Sequence, residues 1–131
     1  NWPKSIYVGD HVWLGQNAMI FKGSKIGSGS IIGANSVVSN KSIPSNTTYA
    51  GAPLRLIHEN TFWTPHSVHG WNNEEIEKMS ESDSDLFSYS PDENTLDFDE
   101  IESILNSSNQ DDAVEYVSMF LFAGKNRFCL K

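Results

Sequence analysis

Lys41 and Arg55 stand out because of the company they keep. Between Asn1 and Ile57 the chain carries Lys4, Lys22, Lys25, Lys41 and Arg55 against Asp10 alone, a net charge of +4. An ammonium and a guanidinium in so acid-poor a stretch suit an anionic small molecule. Lys22 and Lys25 are expected to be solvated corner residues. Trp13 adds a flat apolar wall with one N–H donor. The candidate proton acceptors are His11, His58, His66 and His69. The spacing His66-Ser67-Val68-His69 suggests a metal, yet with one Cys and no nearby carboxylate triad the signal is weak, and no metal site is expected.

These residues need a scaffold, and the sequence supplies one as a repeat. Val8, Leu14, Ile20, Ile26, Ile32 and Val38 recur every six residues. Gly9, Gly15, Gly27 and Gly33 each follow one of them, and Val12, Ala18, Ser24, Ser30, Ser36 and Ser42 lie four positions after. Period six fits neither a helix face nor plain strand alternation. It fits a coil with six residues per side: one aliphatic points inward, a small residue sits near the corner, and Gly is expected to tolerate unusual backbone angles beside it. Three such sides close one triangular turn, so residues 8–43 supply about two coils. That is short for a stack whose units bury their faces against each other, and further coils are expected before residue 1.

The run Val8-Gly9-Asp10-His11-Val12-Trp13-Leu14-Gly15, the segment Ile32-Gly33-Ala34-Asn35-Ser36-Val37-Val38 and the ending Ala50-Gly51-Ala52-Pro53-Leu54-Arg55 together resemble the hexapeptide-repeat acyltransferases. The likeness covers residues 6–57 and is strongest to sugar O-acetyltransferases, namely the galactoside and maltose enzymes and the capsular-polysaccharide enzymes. It implies a mainly β fold, a left-handed parallel β-helix, and acetyl-CoA as acetyl donor to a hydroxyl of a sugar or polysaccharide. It also implies a homotrimer with cofactor channels between adjacent prisms. Handedness comes from the resemblance alone, since the usual crossover preference is right-handed.

The resemblance assigns roles residue by residue. Trp13 would line the acceptor and thioester region as the catalytic-site residue of this stretch. Gln16 would contact the pantetheine arm, with Ala34 and Ser39 along the same channel. Lys41 and Arg55 take the basic positions near the phosphates of coenzyme A. Two departures appear: Ser39-Asn40-Lys41-Ser42-Ile43-Pro44 is one residue longer than the family's usual turn, and His58 replaces a frequent Arg. The family's His base would precede residue 1. His11, where relatives often carry Asn, is expected to face solvent or an interface.

From His58 to Lys131 the balance reverses: Lys78, Lys125, Arg127 and Lys131 face 16 acids, a net charge of −12. The overall charge of −8 argues against nucleic acid, and no run of about 18 apolar residues could span a membrane. One Cys, Cys129, excludes an internal disulfide framework and points to the cytoplasm. Residues 1–57 read as solenoid coils, 58–80 as an aromatic crossing segment with a short helix over Asn72–Ser80 capped by Asn73, 81–94 as an acidic linker and 95–131 as a helical acidic extension. Aromatic packing onto the solenoid explains Phe62, Trp63 and Trp71, and Asn60-Thr61-Phe62-Trp63 echoes a segment seen in relatives. Asp97-Phe98-Asp99-Glu100 resembles a capping box that puts Phe98, Ile101, Ile104 and Leu105 on one helix face. A last helix near Asp111–Phe122, capped by Asn109, is apolar on more than one face and is expected to be buried. Two further readings stay open: an N-acyltransferase acting on an amino sugar or a xenobiotic such as an antibiotic, and a non-catalytic trimeric scaffold.

Overall fold

A computed structural model describes residues 2–107, 109–120 and 122–131. Eight short strands wind through the repeat: β1 Tyr7–Val8, β2 Trp13–Leu14, β3 Met19–Ile20, β4 Lys25–Ile26, β5 Ile31–Ile32, β6 Val37–Val38, β7 Ser42–Ile43 and β8 Thr48–Ala50. Each pairs in parallel with the strand three along the chain. Tyr7 lies opposite Lys25, Trp13 opposite Ile31 and Met19 opposite Val37. One turn therefore takes eighteen residues, or three sides of six, and three sheets form around it: β1-β4-β7, β2-β5-β8 and β3-β6. This is a parallel β-helix.

The expected break after Val38 is a shortened side, and the coil continues past it. Lys25 lies opposite Ser42 and Ile31 opposite Thr48, so the next turn takes seventeen residues. Ile43 becomes the inward aliphatic one position early and is fully buried. The core is the stack Ile26, Ile32, Val38 and Ile43, each at most 1% exposed, with Tyr49 and Leu54 packed against it. In the first coil Val8 and Leu14 are 42% and 43% exposed, because no coil lies beneath them among the described residues.

Corner chemistry differs from the expectation in one respect. Gly9 and Gly27 are needed for close approach, and their backbone angles are not the left-handed ones. A Cβ at Gly9 would sit 2.6 Å from the Ser28 amide nitrogen, and one at Gly27 would sit 2.6 Å from the Ser45 hydroxyl. The left-handed residues come two positions after the glycine phase at His11, Asn17, Gly23, Gly29, Asn35 and Asn46 and one position after it at Asn40, on the shortened side, one per corner. Asn is the side chain that tolerates this region best, which is why it recurs there. In the small-residue phase Ser24, Ser30 and Ser36 are buried and satisfied, while Ser42 is exposed. Ser30 donates to the Pro44 carbonyl at 2.7 Å, Ser24 to Val38 at 3.3 Å, and Ser36 accepts from the Gly51 amide at 2.9 Å.

β9, Arg55–His58, folds back antiparallel on β8. Helix α1 spans Asn73–Phe87, longer than the expected short helix; it runs through Ser80 into the stretch read as a linker. Its N-cap is Asn72, one residue before the expected Asn73, because the Asn72 side chain accepts from the Glu75 amide while Glu75 accepts from the Asn72 amide in a reciprocal capping box. α2 covers Phe98–Ser107 and α3 Gln110–Phe120. Asp97 caps α2 by accepting from the Asp99 and Glu100 amides, and Phe98 and Ile101 are buried as the helix face required. Asn109 caps α3 by accepting from the Asp112 amide. α3 itself is not buried: none of its described residues is, and Val114 and Met119 are 60% and 70% exposed. Leu121, which the apolar reading included, lies outside the described residues.

The C-terminal segment clips the helices to the solenoid. Ser28 and Ser45, at equivalent corners of successive coils, donate their amides to the carbonyls of Phe128 and Leu130. Arg127 forks onto Asp10, Nε to Oδ2 at 3.1 Å and Nη2 to Oδ1 at 2.9 Å. Cys129 is buried and unpaired, and burial pushes its thiol up.

Candidate functional site

The residues singled out in the repeat lie around the β3–β6 sheet. Gln16 and Ala34 stand at equivalent corners of successive coils, between β2 and β3 and between β5 and β6. They are stacked by the Asn35 amide donating to the Gln16 carbonyl at 2.9 Å. Ser39 and Lys41 sit at the opposite end of the same sheet, in the corner between β6 and β7, and both are exposed. The Lys41 ammonium lies 5.8 Å from the Tyr49 ring centre. Arg55 and His58 stand apart on exposed β9, at the edge of the β2-β5-β8 sheet. Within one chain, then, Gln16 and Ala34 meet at one corner, Ser39 and Lys41 at another, and Arg55 joins neither.

Trp13 points outward from β2 and is 52% exposed. Its neighbour is Trp63, which meets it edge to face at 5.4 Å. Trp63 is itself fixed by His11, whose left-handed backbone turns its ring out of the corner. The His11 imidazole is sandwiched between Trp63 at 4.2 Å and Phe87 at 3.8 Å, both nearly parallel. Two hydrogen bonds close this pairing: the Trp63 indole donates to the His11 carbonyl at 3.2 Å, and His11 Nε2 lies 2.6 Å from the Trp63 carbonyl. His11 therefore serves packing within the chain, where a solvent or interface position was expected.

Beside this stack opens a cleft of about 560 Å³ lined by Val12, Trp13, Leu14, Trp63, Thr64, Pro65 and His66. His66 is held from behind. Its Nδ1 lies 2.7 Å from the Thr64 hydroxyl and 3.6 Å from Oδ2 of Asp83, a residue of α1 only 5% exposed. That Oδ2 has no hydrogen-bond partner among the described residues. His69 is exposed, and no group of three His, Cys, Asp or Glu side chains able to hold a metal occurs among the described residues. Trp63 was visible in the sequence as part of an aromatic cluster. Asp83 was hidden in a Ser/Asp-rich run, where no spacing distinguishes it from its neighbours.

Besides Arg127 on Asp10, the extension makes a second charged contact with the solenoid. Lys25 is not a corner residue: it points out of β4 and pairs with Asp99 at 2.8 Å, with Phe98 beneath it. Lys22 donates to the Trp2 carbonyl at 2.9 Å. The Tyr7 hydroxyl donates to Glu102 at 2.6 Å. Burial, then this bond, pushes Tyr7 up to about 12, and the same bond holds Glu102 below the usual carboxylate range.

Residues 5–40 match the bacterial transferase hexapeptide family (six repeats). No curated protein sequence matches the chain. Among solved structures it is similar to the polySia specific acetyltransferase NeuO, with 35% identity and a TM-score of 0.52 over 66% of this chain and 39% of that one. A maltose O-acetyltransferase from Clostridium difficile 630 is 43% identical over 43% of this chain and 29% of its own, with a TM-score of 0.41. A hexapeptide-repeat acetyltransferase from Vibrio cholerae, solved with acetyl coenzyme A, is 38% identical over 44% and 31%, with a TM-score of 0.42. The chain thus spans well under half the length of these relatives. No helix among the described residues is long and apolar enough to cross a membrane. The match to the bacterial transferase hexapeptide family spans β1 to β6 of the coil.

Proposed function

We propose that this chain carries part of an acetyl-CoA-dependent O-acetyltransferase that modifies a hydroxyl of a sugar or polysaccharide in the cytoplasm. The observation that carries the reading is the grouping of Gln16, Ala34, Ser39 and Lys41 at the two ends of the β3–β6 sheet, on a transferase-type repeat. The likeness to an acetyltransferase of polysialic acid supports both the donor and the acceptor class. In this reading the coil is left-handed. The small side chain of Ala34 lets the pantetheine arm approach the backbone, and Lys41 meets the phosphates. Arg55 lies on the far sheet and reaches the phosphates of a cofactor bound between prisms, which makes a homotrimer the working unit. Residues 1–57 form the catalytic solenoid, and residues 58–131 form the crossing segment and helical extension that close it.

Calorimetry of the full chain with acetyl-CoA tests the donor, light scattering tests the trimer, and product mass with polysialic acid and maltose tests the acceptor. Absence of acetyl-CoA binding would overturn the enzyme reading and leave the trimeric scaffold. Acetylation of an amine in place of a hydroxyl would favour the N-acyltransferase.

A further inference from the structure

The cleft beside Trp13 has a polar arm that the repeat does not explain. His66 belongs to the crossing segment and Asp83 to α1, so both lie outside the repeat. Asp83 is a carboxylate buried in the middle of a largely polar helix, and a buried charge without a partner is costly. His66 Nδ1 lies 3.6 Å from the orphaned oxygen of Asp83. Between Asp83 and the Thr64 hydroxyl, the Nδ1 side of the ring is surrounded by oxygens. This arrangement favours the tautomer with the proton on Nδ1, which leaves Nε2 as a lone-pair acceptor. On the cleft side the walls are indoles. Trp13 is half exposed, and Trp63 is fixed in place by the His11–Phe87 stack.

An apolar aromatic wall next to one fixed hydrogen-bond acceptor matches a pyranose ring, whose C–H face packs on an indole while its hydroxyls need acceptors. The cleft, at about 560 Å³, is in the range of about 300–1,000 Å³ usual for small-molecule sites. We infer that Trp13, Trp63 and His66 form a carbohydrate subsite in which His66 Nε2 accepts a ring hydroxyl. Asp83 is the positioning residue that fixes the His66 ring. The inference deepens the acetyl-transfer reading by saying where the acceptor sits. It draws on residues outside the repeat, so the extension takes part in acceptor recognition.

The test is binding of maltose and of oligosialic acid to the full chain, followed by tryptophan fluorescence, alongside acetyl-CoA binding by calorimetry. His66→Gln should weaken binding of at least one of them about tenfold, the effect of one hydrogen bond, and Trp13→Ala more. The Kd for acetyl-CoA should stay unchanged in His66→Gln, so that the loss is confined to the sugar. Asp83→Asn should weaken sugar binding less than His66→Gln does, and nothing further when combined with it, because it acts only through that ring. Unchanged sugar affinity in His66→Gln would overturn the subsite, as would failure of both sugars to bind the native chain. Sugar binding that depends on His66 with no binding of acetyl-CoA would uphold the subsite and sink the transferase reading instead.

Discussion

Replacing Ile32 with Ala tests whether the core is the four-residue stack described above. Ile32 is 0% exposed and sits between Ile26, Val38 and Ile43. The change removes three carbons, worth about 2.4 kcal/mol in lost transfer energy at about 0.8 each, and the cavity raises the cost to about 3–4 kcal/mol. Leu14→Ala removes the same three carbons from the equivalent position one coil earlier, but Leu14 is 43% exposed. It should cost about 1.4 kcal/mol, because roughly half the surface never left water and no closed cavity forms. With a urea slope of about 2 kcal/mol/M, the midpoint should fall by about 1.5–2 M for Ile32→Ala and by about 0.7 M for Leu14→Ala. Far-UV circular dichroism in urea, at one fixed protein concentration, reads both. Equal shifts would refute the reasoning, because they would mean that the first coil is as well covered in solution as the second.

Three further outcomes are expected. Arg55→Ala should weaken acetyl-CoA binding by about three- to tenfold at low ionic strength and less at high salt, because screening already removes much of an exposed charge's effect; calorimetry at two salt concentrations checks it. Tyr7 is held at about 12 in the folded chain against 10.0 unfolded. Its contribution is therefore intact below about pH 10 and lost as pH rises through about 12, so melting temperature should fall more steeply over that window in the native protein than in Tyr7→Phe. Arg127→Ala removes both hydrogen bonds to Asp10 and should cost about 1–2 kcal/mol, with faster exchange of the Ser28 and Ser45 amides that the tail protects.

The sequence by itself was enough for the solenoid. The inward position recurs every six residues, so Ile26, Ile32 and Val38 announce themselves as core, whereas the left-handed Asn corners came only with the backbone angles. It was also enough for the caps at Asp97 and Asn109, since a cap is a contact among residues three apart. What it left open depends on contacts over long separations. The period broke at Ser39–Pro44, yet whether Ile43 would end the coil or continue it depended on the sheet partner Ile26, which no local pattern names. α3 shows apolar residues on several faces, and only packing decides which of them find a neighbour; in this chain Val114 and Met119 do not. The meeting of His66 with Asp83 beside Trp13 was out of reach for the same reason. Those side chains lie on three different elements, and their distances are set by how the extension wraps the coil, a matter of shape that composition and spacing do not carry.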